Sequence, residues 1–235
     1  MSESAPARTP RTLRARVRAE MTEEIKTVAR QHLASDGANL SLRAVARDLG
    51  MASSAVYRYF ASRDELLTAL IIDAYTTVGD AAEQAAADET TALGKWLAAA
   101  HAARDWALAN PHEWALIYGS PVPGYQAPQD TIGPATRLLL QMGQALAEAY
   151  QQGDLAPREP LTGDFVAQLE PIAEQFHPGL PPRFVADTIA AYFQLCGAIS
   201  YELFGQLKNS VEVDRRGFFE FQMRNAAAAA GLTSR

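Results

Sequence analysis

Residues 42–60, LRAVARDLGMASSAVYRYF, read as two short helices broken at Gly50. Val45 and Leu49 stand four apart with Ala46 beside them, and Val56 and Phe60 repeat that spacing, so each helix buries one narrow apolar stripe. Gly50 and Met51 supply a tight turn with one apolar plug. Outside the second stripe lie Ser53, Ser54, Tyr57, Arg58 and Tyr59, hydroxyls, phenols and a guanidinium where a plain surface helix carries Glu and Lys. Such a face suits phosphates and base edges.

Upstream, Val17, Met21, Ile25, Val28, Ala29 and Leu33 follow helical spacing from about Arg16, and Gly37 is placed to end that helix. Ser41 then precedes the first helix of the pair, where its hydroxyl caps the leading amides. Three short helices in this order make a helix-turn-helix unit. Downstream, Ser62-Arg63-Asp64-Glu65 is a capping box, with Ser62 over the amide of residue 65 and Glu65 reaching back to that of Ser62. A long helix therefore starts there, with Leu66, Leu67, Leu70, Ile71, Ala74 and Val78 inward, and runs to about 83–88.

Everything beyond residue 88 also reads as helix. One segment ends at Asn110-Pro111, a short one covers 112–118, and GSPVPGYQAPQ at 119–129 is an irregular loop. Helices over 138–150, closed by Gly153, and over 164–175 follow. The last two, about 182–206 and 214–230, carry apolar residues almost all round, from Phe184, Tyr192, Phe193, Cys196 and Phe204 to Phe218, Phe219 and Phe221. A helix of that kind must be buried on more than one face, either at the centre of a monomer's core or against a second copy, and a homodimer joined through these two helices as a four-helix bundle satisfies both.

The net charge is -6, yet residues 1–63 hold eleven Lys and Arg against six Asp and Glu, while the remainder holds ten against twenty-one. A basic first quarter on an acidic body is the asymmetry of a chain that meets a polyanion at one end. With one cysteine, Cys196, there is no internal disulfide, which suits a reducing cytosol. Arg8, Arg11, Arg14, Arg16 and Arg18 have no apolar run behind them, so neither a signal peptide nor a membrane anchor is expected. His32, His101, His112 and His177 show no metal-ligand spacing, and no nucleophile stands near a base, so no metal, cofactor or catalysis is expected. His32 reads as a satisfied core histidine.

The runs IKTVARQHLASDG, SLRAVARDLGM and SAVYRYFASRDELL resemble the DNA-binding domain of the tetracycline-repressor (TetR) family of bacterial regulators. WALANPHEWALIYGSPVPGY resembles a subgroup named for Trp, His and Gly, matched here by Trp106, His112 and Gly119. Residues 1–15 carry Ser, Pro and spaced Arg without periodicity and read as a disordered basic arm or a solubilising tail. The resemblance implies an all-α chain with a three-helix helix-turn-helix domain (16–63) and a larger helical ligand-binding and dimerisation domain (64–235). It further implies a cytoplasmic homodimer, nucleoid-associated when bound, that represses transcription from a palindromic operator and responds to a small-molecule effector. Carried onto this chain, Ser41 and Arg43 meet the DNA backbone, Ser53, Ser54 and Arg58 face the groove, and Tyr57, Tyr59 and Arg63 clamp phosphates. Two positions depart from the family pattern: Ala52 where a capping hydroxyl is common, and Ser54 where Gly is common, with Ser53 placed to take over the cap. Trp114, Tyr118, Tyr125 and Tyr192 are the candidate effector contacts, because aromatic walls with a few hydroxyls make pockets. The competing reading is a helical ligand-sequestering or protein-interaction module without specific DNA binding.

Overall fold

The computed structural model describes residues 13–36, 40–176 and 179–232. Most of the N-terminal arm, the Gly37 helix stop and His177 lie outside the described residues. The chain divides into two compact units between Leu70 and Ile71, and among the described residues it is all-helical apart from one isolated bridge, Leu155–Leu232.

The first unit holds α1 (Leu13–Asp36), α2 (Leu42–Asp48), α3 (Ser53–Val56) and the start of α4 (Arg63–Ala87). Helix α1 begins at Leu13, inside the stretch read as arm, and its first turns are exposed, Val17 included. From Ile25 onward its apolar stripe is buried at Ile25, Ala29 and Leu33, as are Leu42, Val45, Val56, Phe60, Leu66 and Leu67, with α1 packed on α2 and α2 on α3. The charged Lys26 is also buried, its stem packed while its ammonium pairs with Glu23 at 2.7 Å.

The second unit holds the rest of α4, then α5 (Ala92–Ala109), α6 (Pro111–Tyr118), a 3-10 turn (Gln129–Thr131), α7 (Ile132–Gln152), α8 (Val166–Phe176), α9 (Pro182–Leu203) and α10 (Arg215–Ala229). Helices α5, α7, α9 and α10 pack on one another around a single core. Pro111 opens α6 at its first position, where a missing N–H costs nothing. Gly153, at φ 72°, closes α7, and Asp214 caps α10 through the amide of Gly217 at 2.8 Å.

Two tryptophans are wholly enclosed, and each indole N–H finds an acceptor. Trp96 donates to the Met223 carbonyl at 3.1 Å, and Trp114 to the Ser200 hydroxyl at 3.1 Å. Arg104, on the inner face of α5, is matched by Glu202 on α9 through two parallel hydrogen bonds of 2.8 and 2.6 Å. Their side chains are 7% and 6% exposed, and the Arg104 guanidinium also lies over the Phe219 ring at 5.6 Å. Arg137 fastens α7 to α4 by reaching Glu83, Asp80 and the Thr76 carbonyl, and Gly79 lets the two backbones close up.

A buried pair of this kind contributes little net stability over apolar residues of equal volume, but removing one partner strands a charge. Arg104→Ala should therefore cost about 3–5 kcal/mol in urea unfolding. Arg104→Met combined with Glu202→Leu should recover most of that loss, and failure to recover any of it would show that the pair also carries packing no apolar residue replaces.

Candidate nucleic-acid interface and effector cavity

The turn after α2 is built as the sequence requires. Gly50 sits at φ 65°, its N–H donates to the Arg47 carbonyl at 3.0 Å, and the Met51 N–H donates to Ala46 at 2.8 Å. This pair of bonds ends α2 and turns the chain, and the left-handed conformation favours glycine. At the other end of α2, Ser41 accepts from the Ala44 amide at a long 3.5 Å.

Helix α3 is shorter than the sequence pattern suggested. Only Ser53–Val56 is α-helical; Arg58 and Tyr59 then bond three residues back, to Ala55 and Val56, so the segment tightens before Phe60. Its N-cap is Ala52 with no side-chain hydrogen bond, and Ser53 is the first helical residue. The expected takeover of the cap by Ser53 does not occur, because Ala52 already has the extended backbone of an N-cap. Ser53, Ser54, Tyr57 and Arg58 are exposed together on one side, Tyr59 is half-buried, and Val56 and Phe60 are buried beneath them.

What braces this segment is Arg18, a residue that sequence reasoning assigned only to basic charge. Its guanidinium donates to the Arg58 carbonyl at 3.0 Å and lies over the Tyr59 ring at 5.1 Å. No local pattern signals a contact forty residues apart. Arg63 reaches back to the Leu40 carbonyl at 3.2 Å and sits 3.4 Å from Asp64, so part of its donor set is turned inward; Arg43 is exposed on α2. The capping box forms with one change: Ser62 accepts from Glu65 N–H at 3.1 Å, while the Glu65 carboxylate takes the Ala61 amide rather than that of Ser62. His32 meets the Asp48 carboxylate at 2.8 Å and ties α1 to α2, in keeping with its reading as a satisfied histidine.

In the second unit, Trp114, Tyr118 and Tyr192 are brought together. The Trp114 and Tyr118 rings are 4.3 Å apart, and the Tyr192 hydroxyl donates to that of Tyr118 at 3.0 Å. Burial raises both phenol pKa values above the ordinary one and pushes the neighbouring Cys196 thiol up to about 12, so all three stay protonated. Tyr125 borders a cavity of about 450 Å³ walled by Tyr75, Ile117, Thr131 and Ile132, and Tyr75 packs edge-on against Tyr118 at 5.8 Å. The loop carrying it turns through Val122-Pro123-Gly124-Tyr125, with Gly124 at φ 76° and a Tyr125 N–H to Val122 carbonyl bond of 3.1 Å, as a type II turn demands.

A short, capless helix braced from α1, with two serines, a phenol and a guanidinium on its open side, is the geometry of a helix-turn-helix reading head. The model described as bacterial regulatory proteins of the tetR family matches residues 25–70, and that described as the tetracyclin repressor-like C-terminal domain matches residues 96–226. The chain belongs to the TetR family. Among its relatives is the HTH-type transcriptional regulator Rv1816 of Mycobacterium tuberculosis, 42% identical over 221 residues that cover 88% of this chain and 91% of the relative. A solved structure of the regulatory protein SCO4313 superposes with a TM-score of 0.77 at 34% identity, covering 94% of this chain and all of the other. A tetR-family regulator from Rhodococcus RHA1, 14% identical with a TM-score of 0.63, shares the fold. This TetR-family chain is thus a DNA-binding transcriptional regulator, and no helix among the described residues is long and apolar enough to cross a membrane.

Two outcomes follow for the head. Ala52→Ser supplies the missing cap acceptor and should stabilise the unit by about 0.5–2 kcal/mol, read as slower amide exchange in α3. Asp48 has its carboxyl held below the ordinary 3.8, chiefly by the hydrogen bond from Arg47, with His32 adding to it. A carboxyl lowered on folding contributes stability above pH 3.8 that is lost as pH falls through its folded value, so Asp48→Asn should flatten the acid limb of the unfolding curve.

Proposed function

We propose that this regulator is a ligand-responsive repressor that binds a palindromic operator as a homodimer. The observation that carries the reading is the joint exposure of Ser53, Ser54, Tyr57 and Arg58 on a helix whose position is set by Arg18. In this reading Ser53, Ser54 and Arg58 face the major groove, with Arg58 bidentate to a guanine, and Ser41, Arg43, Tyr57, Tyr59 and Arg63 hold phosphates. Inward donation by Arg63 leaves it a phosphate contact shared with a strut.

Dimerisation through α9 and α10 is supported by the apolar side chains these helices leave in solvent: Phe193 is 67% exposed, Tyr201 61%, Phe204 50% and Phe221 58%. Exposed aromatic residues are enriched where protein interfaces form. The effector is assigned to the cavity under Tyr125, whose wall includes Ile71 and Tyr75 of α4. Trp114, Tyr118 and Tyr192 then form the packed wall behind it rather than the contact surface. Occupying that cavity acts on α4, and linkage requires operator DNA to weaken effector binding by the same factor. Assignment to the Trp-His-Gly subgroup rests on Gly119, where a Cβ would fall 2.3 Å from the Ala115 carbonyl oxygen, while His112 is exposed at the start of α6.

Selection from a random duplex pool should enrich a palindrome with half-sites ~34–36 Å apart or a multiple of that spacing. Affinity should fall steeply with salt, and Arg58→Ala should cost about 1–3 kcal/mol and relax one base position. No enrichment with a flat salt response would favour the ligand-sequestering reading. Phe193→Glu together with Phe221→Glu should give a monomer in sedimentation; an unchanged dimer would move the interface off this face.

A further inference from the structure

A second cavity, sharing no residue with the one under Tyr125, lies where the end of α7, the start of α9 and the end of α10 meet. Its volume is about 390 Å³, within the ~300–1,000 Å³ of small-molecule sites. Leu146, Tyr150, Leu155, Phe184 and Ala230 make its apolar walls. One wall is the segment after α7, held in place by the Leu155–Leu232 bridge and by the Ala156 N–H donating to the Gly231 carbonyl at 2.9 Å.

The polar edge of this cavity carries two guanidiniums, Arg158 and Arg183, and two carboxylates, Glu159 and Asp187. Asp187 accepts from the Arg183 Nε at 3.2 Å, and Arg183 also donates to the Glu159 main-chain carbonyl at 2.7 Å. Arg158, the second guanidinium on the same edge, comes only within 3.9 Å of Asp187, beyond hydrogen-bond reach. Among the described residues it donates no hydrogen bond, although its side chain is only 28% exposed. Arg183 thus occupies Asp187, and Arg158 keeps hydrogen-bond donors to offer at the mouth of an apolar cavity, which the exposed Glu159 also borders. A guanidinium offers donors in a fork that matches a carboxylate, and an apolar cavity rewards a hydrocarbon body.

We propose that this cavity binds an amphipathic monocarboxylate, its hydrocarbon part against Leu146, Leu155 and Phe184 and its carboxylate on Arg158. A bare anion gains nothing from the walls, and an alkylamine meets two guanidiniums, an Asp187 already held by Arg183, and only the exposed Glu159 as a partner. The site belongs to the second unit alone and does not depend on the chain reading DNA.

The test is calorimetric titration of the full chain with decanoate, decanol, decylamine and acetate. Decanoate should bind one per chain and at least tenfold more tightly than decanol or decylamine, with acetate giving no heat. A charge-assisted bidentate contact sets the scale for Arg158→Ala, which should weaken decanoate about 10- to 100-fold and leave decanol unchanged. Arg158→Lys should fall between the two, because an ammonium keeps the charge and loses the fork. Ala156→Trp should fill the cavity and abolish binding of both ligands; where circular dichroism shows that variant unfolded, the Arg158 series decides. Equal affinity for decanoate and decanol, an Arg158→Ala chain that binds decanoate as well as the parent, or no saturable binding at all would each overturn the proposal.

Discussion

Helix α9 has to be held at one rotation, and three polar contacts do it. Tyr192 reaches the Tyr118 hydroxyl, Ser200 accepts the Trp114 indole N–H, and Glu202 pairs with Arg104. Each is a group that would be costly to leave buried and unpaired, so a helix with apolar residues nearly all round cannot roll to another face. With that rotation set, Leu195 and Ile199 go to the core, and Phe193, Tyr201 and Phe204 go to solvent. The core of the second unit and the face assigned to a partner copy are consequences of the same three contacts.

The head is organised by backbone geometry more than by burial. The positive φ of Gly50 and the two bonds that close α2 aim α3, and Val56 and Phe60 hold it down. With a single α-helical turn and no side-chain cap, α3 has little stability of its own. Arg18 compensates from outside by engaging the carbonyl of Arg58 and the ring of Tyr59, which links the orientation of the exposed side of α3 to α1.

Most of the helix pattern was legible in the chain. Asn110-Pro111, Gly153 and the Ser62–Glu65 box mark boundaries by chemistry local to a few residues, and the structure places helix ends at or beside them. The extent of α3 was not legible, because an apolar pair four apart survives the switch to three-residue bonds at Arg58 and Tyr59, and the Phe60 N–H still reaches the Val56 carbonyl at 3.1 Å. Nor did the pattern reveal that Arg104 is buried: on α5 it occupies an inward position, and what makes that tolerable is a glutamate ninety-eight residues away. Among the effector candidates, Trp114, Tyr118 and Tyr192 pack on one another while Tyr125 borders a cavity joined to them through Tyr75, an arrangement that aromatic composition cannot express.

By itself the sequence determined an all-helical chain with a basic reading head on an acidic body, because periodicity, caps and charge act over a few residues or over whole segments. Only the tertiary structure decided which guanidiniums face solvent, which brace α3, and which stand at a cavity edge with only a long ion pair. A guanidinium on a flexible stem reads the same in sequence in all three roles, and the difference is made by acceptors brought to it from distant parts of the chain.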